Sequence, residues 1–182
     1  MIRVKKKILI STGGSGGHVI PASILHEHLN EENDIIISTD YRGFRYLDKN
    51  VYKIFLIDTP KLNFLLLPLN FFKILFLTIK SILFLKKEKI NLLFSTGGYM
   101  SLPLILAGKF LNLKIYLLEP NLVLGRANKF FLSSCEKIFC YTKQIKNFPE
   151  KYINKKVIIY PLVRHEFYKK KPRKMNNDKF CL

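Results

Sequence analysis

KILISTGGSGGHVIPA, from Lys7 to Ala22, drives a short apolar run into a cluster of glycines, a histidine and a proline. NLLFSTGGYMSLP, from Asn91 to Pro103, makes the same move: an apolar run again ends in Ser-Thr-Gly-Gly. The first turn leads into residues with helical spacing, Ile20–Leu29. Strand, glycine turn and helix in succession are the unit of a parallel α/β sheet.

Working outward, the rest of the chain keeps that order. Val4–Ser11, Asp34–Thr39 and Val51–Ile57 read as the first three strands. Asn91–Thr96, Leu113–Leu118, Lys137–Thr142 and Lys155–Tyr160 read as four more, with helices expected from about Ser101 and near Arg126–Ser134. Short β-branched runs between helical segments predict a doubly wound parallel sheet covered on both faces. The two glycine turns are local echoes within it, not the period of a solenoid. Residues 1–164 are expected to form one domain. Residues 165–182 are basic and lack apolar periodicity, which reads as a linker or a disordered tail.

The chain has 182 residues, enough to bury a proper core, and 48% of them are hydrophobic, which excludes a disordered class. Lys and Arg number 31 against 13 Asp and Glu, a net charge of +18. Such a field attracts nucleic acid, anionic lipid headgroups or phosphorylated substrates, without choosing among them. Cys135, Cys140 and Cys181 form no C-x-x-C and the four histidines complete no zinc pattern, so a reducing setting without a metal site is expected. The N-terminus has too few apolar residues before the glycines for a secretory core of about 7–15.

LNFLLLPLNFFKILFLTIKSILFL, Leu62–Leu85, has the length of a membrane span, but Pro68 interrupts it and Lys73 and Lys80 fall inside it. A central lysine disfavours insertion by roughly 2.5–3.5 kcal/mol. Seven apart, the two lysines share one side of a helix with Asn70 and Ser81 near them, and Lys86, Lys87 and Lys89 border its end. A helix flanking a sheet needs one apolar stripe, and this one carries more. The preferred reading is an interfacial, membrane-touching element; a thickly packed core helix and a spanning helix are the alternatives.

In a doubly wound sheet, ligands bind beyond the carboxyl ends of the strands, where both glycine turns fall. The helix after the first turn offers N-terminal amides and a dipole that favour an anion. Gly13-Gly14-Ser15-Gly16-Gly17 is neither G-x-G-x-x-G nor a P-loop. A phosphate or sugar-phosphate site is therefore expected rather than hydride transfer or nucleotide hydrolysis. Positive φ and close backbone approach are the expected reasons for glycine here. His18 stands where loop meets helix, and an imidazole there can accept a proton near neutral pH. A packed loop histidine is the plainer alternative. His26 and His28 are expected at the surface.

GGSGGHVIPA, then STGGYMSLP, then LEPNLVLGRANKFF, in that order and spacing from Lys7 to about Arg164, resemble the N-terminal domain of the MurG family. The resemblance implies a Rossmann-like doubly wound sheet, the N-terminal half of a GT-B glycosyltransferase. It also implies transfer of GlcNAc from UDP-GlcNAc, with inversion and no metal or other cofactor. The acceptor is the C4 hydroxyl of undecaprenyl-pyrophosphoryl-MurNAc-pentapeptide, in peptidoglycan synthesis. The implied setting is peripheral, on the cytoplasmic face of the plasma membrane, with anionic lipid around an apolar patch on the acceptor-binding domain.

Carried residue by residue, the resemblance implies His18 as general base. It places Gly14, Ser15 and Gly16 against both the donor sugar nucleotide and the acceptor diphosphate, Asn121 and Arg164 toward the donor, and Gly17, Gly97, Gly98, Tyr99 and Glu119 toward the acceptor. Ser15 stands where the family usually has Thr. The family's His-Glu-Gln-Asn is Leu118-Glu119-Pro120-Asn121 here, followed by Leu122 in place of glycine. Arg164 closes PLVR where the family has NPVR. The family's donor-binding C-terminal domain is absent from this sequence, which reads as a truncated gene, a fragment or one subunit of a split transferase, a separate C-terminal half being the partner in the last case. A non-catalytic module binding polyprenyl-pyrophosphate lipid, or recruiting a partner transferase subunit, is the alternative function. A nucleic-acid binder is disfavoured because most Phe residues lie in core-like runs rather than among the basic residues.

Overall fold

The structure, a computed structural model, describes residues 5–59 and 67–166. Among these residues, seven parallel strands form one sheet in the order β3-β2-β1-β4-β5-β6-β7. They are β1 Lys7–Ser11, β2 Asp34–Thr39, β3 Ile54–Leu56, β4 Leu92–Ser95, β5 Lys114–Glu119, β6 Lys137–Cys140 and β7 Lys156–Ile158. The helices are α1 Gly16–Leu29, α2 Tyr41–Phe44, α3 Leu67–Lys87, α4 Leu102–Phe110 and α5 Arg126–Phe131. The predicted α/β class is thus observed.

Side-chain alternation along the strands splits the core in two. Ile8, Ile10, Ile35 and Ile37 pack with Val19, Ala22 and Leu25 of α1 on one face. Leu9, Ile36, Leu93, Leu117 and Ile138 pack with residues of α3, α4 and α5 on the other. Period two on each strand, apolar on both sides, is what a sheet covered on both faces requires.

Several expected boundaries move. The first helix begins at Gly16, not Ile20, because the loop is only Thr12–Ser15; Pro21 lies inside the helix. The first strand begins at Lys7, and Val4 lies outside the described residues. β3 is trimmed from Val51–Ile57 to the three residues in register with Ile37–Thr39. The one-turn α2 was not expected; Asp40 caps it by accepting a hydrogen bond from the Gly43 amide at 2.9 Å.

The surface assignment of His26 is corrected. It falls on the buried stripe of α1 with Val19, Ala22, Ser23 and Leu25, and its ring meets Tyr52 edge-on at 4.8 Å. That burial lowers its pKa, with Glu27 opposing the shift. His28, half-buried, bonds through Nε2 to the Val163 carbonyl at 2.8 Å, which fastens the segment after β7 to the end of α1.

α3 packs against α4. Its buried side is Asn70, Leu77, Ser81 and Leu85, so Asn70 and Ser81 do not share the exposed side of Lys73 and Lys80 as expected. The opposite side shows Leu69, Phe72, Phe76, Ile79 and Leu83 to solvent, and Phe110 of α4 is exposed too. Among the described residues, no helix is long and apolar enough to cross a membrane. Residues 62–66 of the apolar stretch, and 167–182 of the basic tail, lie outside the described residues.

Candidate active site

The sheet order reverses between β1 and β4, the switch point at which a doubly wound sheet opens a ligand crevice. Those strands pair with Ser11 opposite Ser95, so the two Ser-Thr-Gly-Gly turns leave the sheet side by side. The two serine hydroxyls meet on Ser101 Oγ, at 2.8 and 3.0 Å. The Thr12 and Thr96 hydroxyls share a hydrogen bond of 2.9 Å. The turns then touch through bare backbone. A Cβ on Gly98 would stand 2.5 Å from Gly13 Cα, and Gly98 also has φ +90°. The sequence repeats itself because neighbouring strands need matching exits with no side chain between them. Positive φ, expected for both turns, is found at Gly97 and Gly98 but at no described glycine of the first.

The first turn forms an open cradle. Among the described residues, the amides of Gly13, Gly14, Ser15, Gly16 and Gly17 have no acceptor. Ser15 is the N-cap of α1, yet its hydroxyl makes no capping bond and is exposed. The first turn of the helix carries no acidic residue. Nothing on the helix itself offsets its positive end, which is the condition for holding an anion. Behind the loop lies the buried carboxylate of Asp40, against which a Cβ on Gly14 would collide, and Arg42 Nε donates to it at 2.9 Å.

His18 occupies the third position of α1, half-buried, and Thr96 grips it twice. The Thr96 hydroxyl donates to the His18 carbonyl at 3.0 Å, and His18 Nδ1 lies 2.7 Å from the Thr96 carbonyl. A carbonyl oxygen only accepts, so Nδ1 carries the hydrogen and the neutral ring keeps an acceptor lone pair on Nε2. A cleft of about 260 Å³ opens here, lined by His18, Gly97, Gly98, Tyr99, Arg126 and Asn128 among others.

Glu119 ends β5 almost fully buried. Its Oε1 accepts from the Asn121 backbone and side-chain amides, at 3.2 and 2.9 Å. Its Oε2 accepts from the Gly125 amide at 2.8 Å and from Asn128 Nδ2 at 3.0 Å. The carboxylate therefore folds the 120–125 loop and orients the start of α5, with Asn121 on the exposed rim. Gly14, Ser15, Gly16, Gly17, His18, Gly97, Gly98 and Tyr99 gather at the switch point, and Glu119 backs them. Arg164 lies elsewhere, beside the segment held by His28. That is ten residues, or about 15 Å, along α1 from His18.

Sequence reasoning missed Asn128, Arg126 and Asp40. For Asn128 a signal existed: a polar residue between Ala127 and Phe131 on the apolar face of a short helix.

A family model described as the glycosyltransferase family 28 N-terminal domain matches residues 8–140. A relative from Pelagibacter ubique (strain HTCC1062) is 54% identical over 170 residues, covering 92% of this chain and 48% of its own. It is named UDP-N-acetylglucosamine--N-acetylmuramyl-(pentapeptide) pyrophosphoryl-undecaprenol N-acetylglucosamine transferase. A relative of the same name from Rickettsia typhi (strain ATCC VR-144 / Wilmington) is 37% identical over 161 residues, covering 87% of this chain and 41% of its own. The crystal structure of Acinetobacter baumannii MurG shares the fold with a TM-score of 0.71 at 24% identity, covering 84% of this chain and 45% of that one. The chain spans about half the length of the curated relatives it matches. These matches bear out the MurG-family resemblance read from the motifs. With the family model running from β1 to β6, the chain belongs to glycosyltransferase family 28 and carries that family's N-terminal domain.

Proposed function

We propose that this domain binds the lipid-linked acceptor in the transfer of GlcNAc from UDP-GlcNAc to the C4 hydroxyl of undecaprenyl-pyrophosphoryl-MurNAc-pentapeptide. The observation that carries the reading is the row of acceptor-less amides from Gly13 to Gly17, set beside an imidazole whose Nδ1 is already committed. The diphosphate sits on the amides and the positive end of α1. His18 Nε2 takes the C4 hydroxyl proton as the oxygen attacks the anomeric carbon from the face opposite the diphosphate bond of the donor. UDP leaves with the bonding pair and the configuration inverts. The relatives' names support the donor and acceptor classes.

The donor is held mainly by a second, C-terminal half, a separate chain or the continuation of this one. The domain sits peripherally on the cytoplasmic face of the plasma membrane. The exposed Leu69, Phe72, Phe76, Ile79 and Leu83 of α3 enter the headgroup boundary while Lys73, Lys80, Lys86 and Lys87 meet anionic lipid.

The test combines the purified chain, a short-chain lipid I analogue and labelled UDP-GlcNAc, with and without a separately expressed C-terminal half. Transfer is expected only with both halves, and to fall by at least about a hundredfold in His18→Ala. Acceptor binding without transfer when both halves are present would leave a lipid-diphosphate-binding module instead.

A further inference from the structure

We propose that Asn128, clamped by Glu119, is a positioning residue that steadies the protonated form of His18. The inference rests on the reading of His18 as a base, and it starts from one buried atom. Asn128 is 2% exposed, and Nδ2 faces two acceptors, the Leu118 carbonyl at 3.1 Å and Glu119 Oε2 at 3.0 Å. Those bonds fix the amide orientation. Oδ1 is turned the other way, and among the described residues it has no hydrogen-bond partner. An unpaired buried amide oxygen costs stability, so its persistence calls for a reason.

Its surroundings supply one. A Cβ on Gly97 would stand 3.3 Å from Asn128 Oδ1, 3.1 Å from His18 Cε1 and 3.3 Å from His18 Nδ1. Oxygen and imidazole edge therefore border the same point, left open by the glycine. The Thr96 carbonyl already accepts from that edge. When Nε2 takes a proton, positive charge spreads over Nδ1 and Cε1, and a second carbonyl oxygen bordering the same opening stabilises it. Behind the amide stands the Glu119 carboxylate, met by N–H donors and, among the described residues, by no cation. Its charge polarises Asn128 through Nδ2. The other titratable or charged side chains at the cleft are Tyr99 of the second turn, Arg126 of α5, and Asp40 with Arg42 behind Gly14. Arg126 opposes the imidazolium; a substitution at 128 leaves all of these in place.

The experiment is an NMR titration of the purified chain, labelled in histidine and asparagine side chains. In the unmutated chain His18 is expected as the Nδ1–H tautomer when neutral, and the Asn128 Cγ signal is expected to move with the His18 midpoint. Asn128→Ala is expected to lower that midpoint by about half to one pH unit, about three- to tenfold in proton affinity. In the reconstituted transferase the acid limb of the rate profile moves down equally, with little change in acceptor KM. A merely structural asparagine would not move that limb. An unchanged midpoint in Asn128→Ala, or an Asn128 signal indifferent to His18, overturns the proposal. If the variant fails to fold, the co-titration in the unmutated chain decides alone. Failure of the transferase reading looks different: the two residues co-titrate while His18→Ala leaves transfer intact.

Discussion

Replacing Gly17 by Ala separates what the protein needs from what its ligand needs. Gly17 is the second residue of α1, and a Cβ built there meets nothing within 4 Å. The protein's own packing gives no reason for glycine. In a helix Ala is better than Gly by about 0.5–1 kcal/mol, partly through the unfolded chain. For a chain of this size that is a gain of about 1–4 °C in Tm. On the proposed reading, however, a diphosphate oxygen approaches the Gly17 amide closely, and a methyl at that mouth obstructs it. Urea unfolding should show the gain. Titration with a short-chain lipid I analogue should show binding weakened at least about tenfold, roughly 1.4 kcal/mol. A destabilised variant would refute the packing argument, and a stabilised variant with unchanged binding would refute the cradle.

Three further outcomes are expected. Gly98→Ala forces a side chain to φ +90° and 2.5 Å from Gly13 Cα; backbone strain alone costs about 1–3 kcal/mol, so denaturant midpoints should fall steeply. On acidification, stability should decline below 6.5, because burial lowers the pKa of His26 and the unfolded chain binds that proton first. Hydrogen bonds from Lys53 and Lys7 lower the pKa of Glu88, which adds a second loss below 4.5. Urea midpoints of His26→Phe across this range should keep the second decline and lose the first. Phe72 and Phe76 are each 66% exposed, so changing both to Ser should leave unfolding within about 0.5 kcal/mol. Flotation with anionic vesicles should nonetheless drop at least tenfold, since each buried Phe contributes about 1.5–3 kcal/mol.

The strands were legible because β-branched runs bounded by Gly, Asn and Lys leave little choice, and Asp34–Thr39 matches residue for residue. Their ends were not, because pairing with a neighbour sets them: β3 keeps only what β2 can bond. The helix start at Gly16 was hidden because Gly16, Gly17 and His18 carry no apolar periodicity, which begins only at Val19 and Ile20. The glycine cradle and His18 could be read from local spacing. The contact of Gly13 with Gly98 could not, because it depends on β1 and β4 being neighbours across a long stretch of chain. Likewise, Glu119 and Asn128 are joined by a turn whose geometry only the folded loop defines. The surface expectation for His26 fails for a simpler reason: it considers only the site and solvent, whereas helical spacing from Val19 puts this residue in the core.

The most direct measurement follows the backbone amides of the ¹⁵N-labelled chain as a muramoyl-pentapeptide diphosphate on a short prenyl chain is added. Saturable shifts at Gly14, Ser15, Gly16 and Gly17, with the His18 ring responding at the same concentration, are the predicted result. Saturation that leaves those amides unmoved, or shifts confined to another face of the sheet, would contradict a diphosphate held at the start of α1.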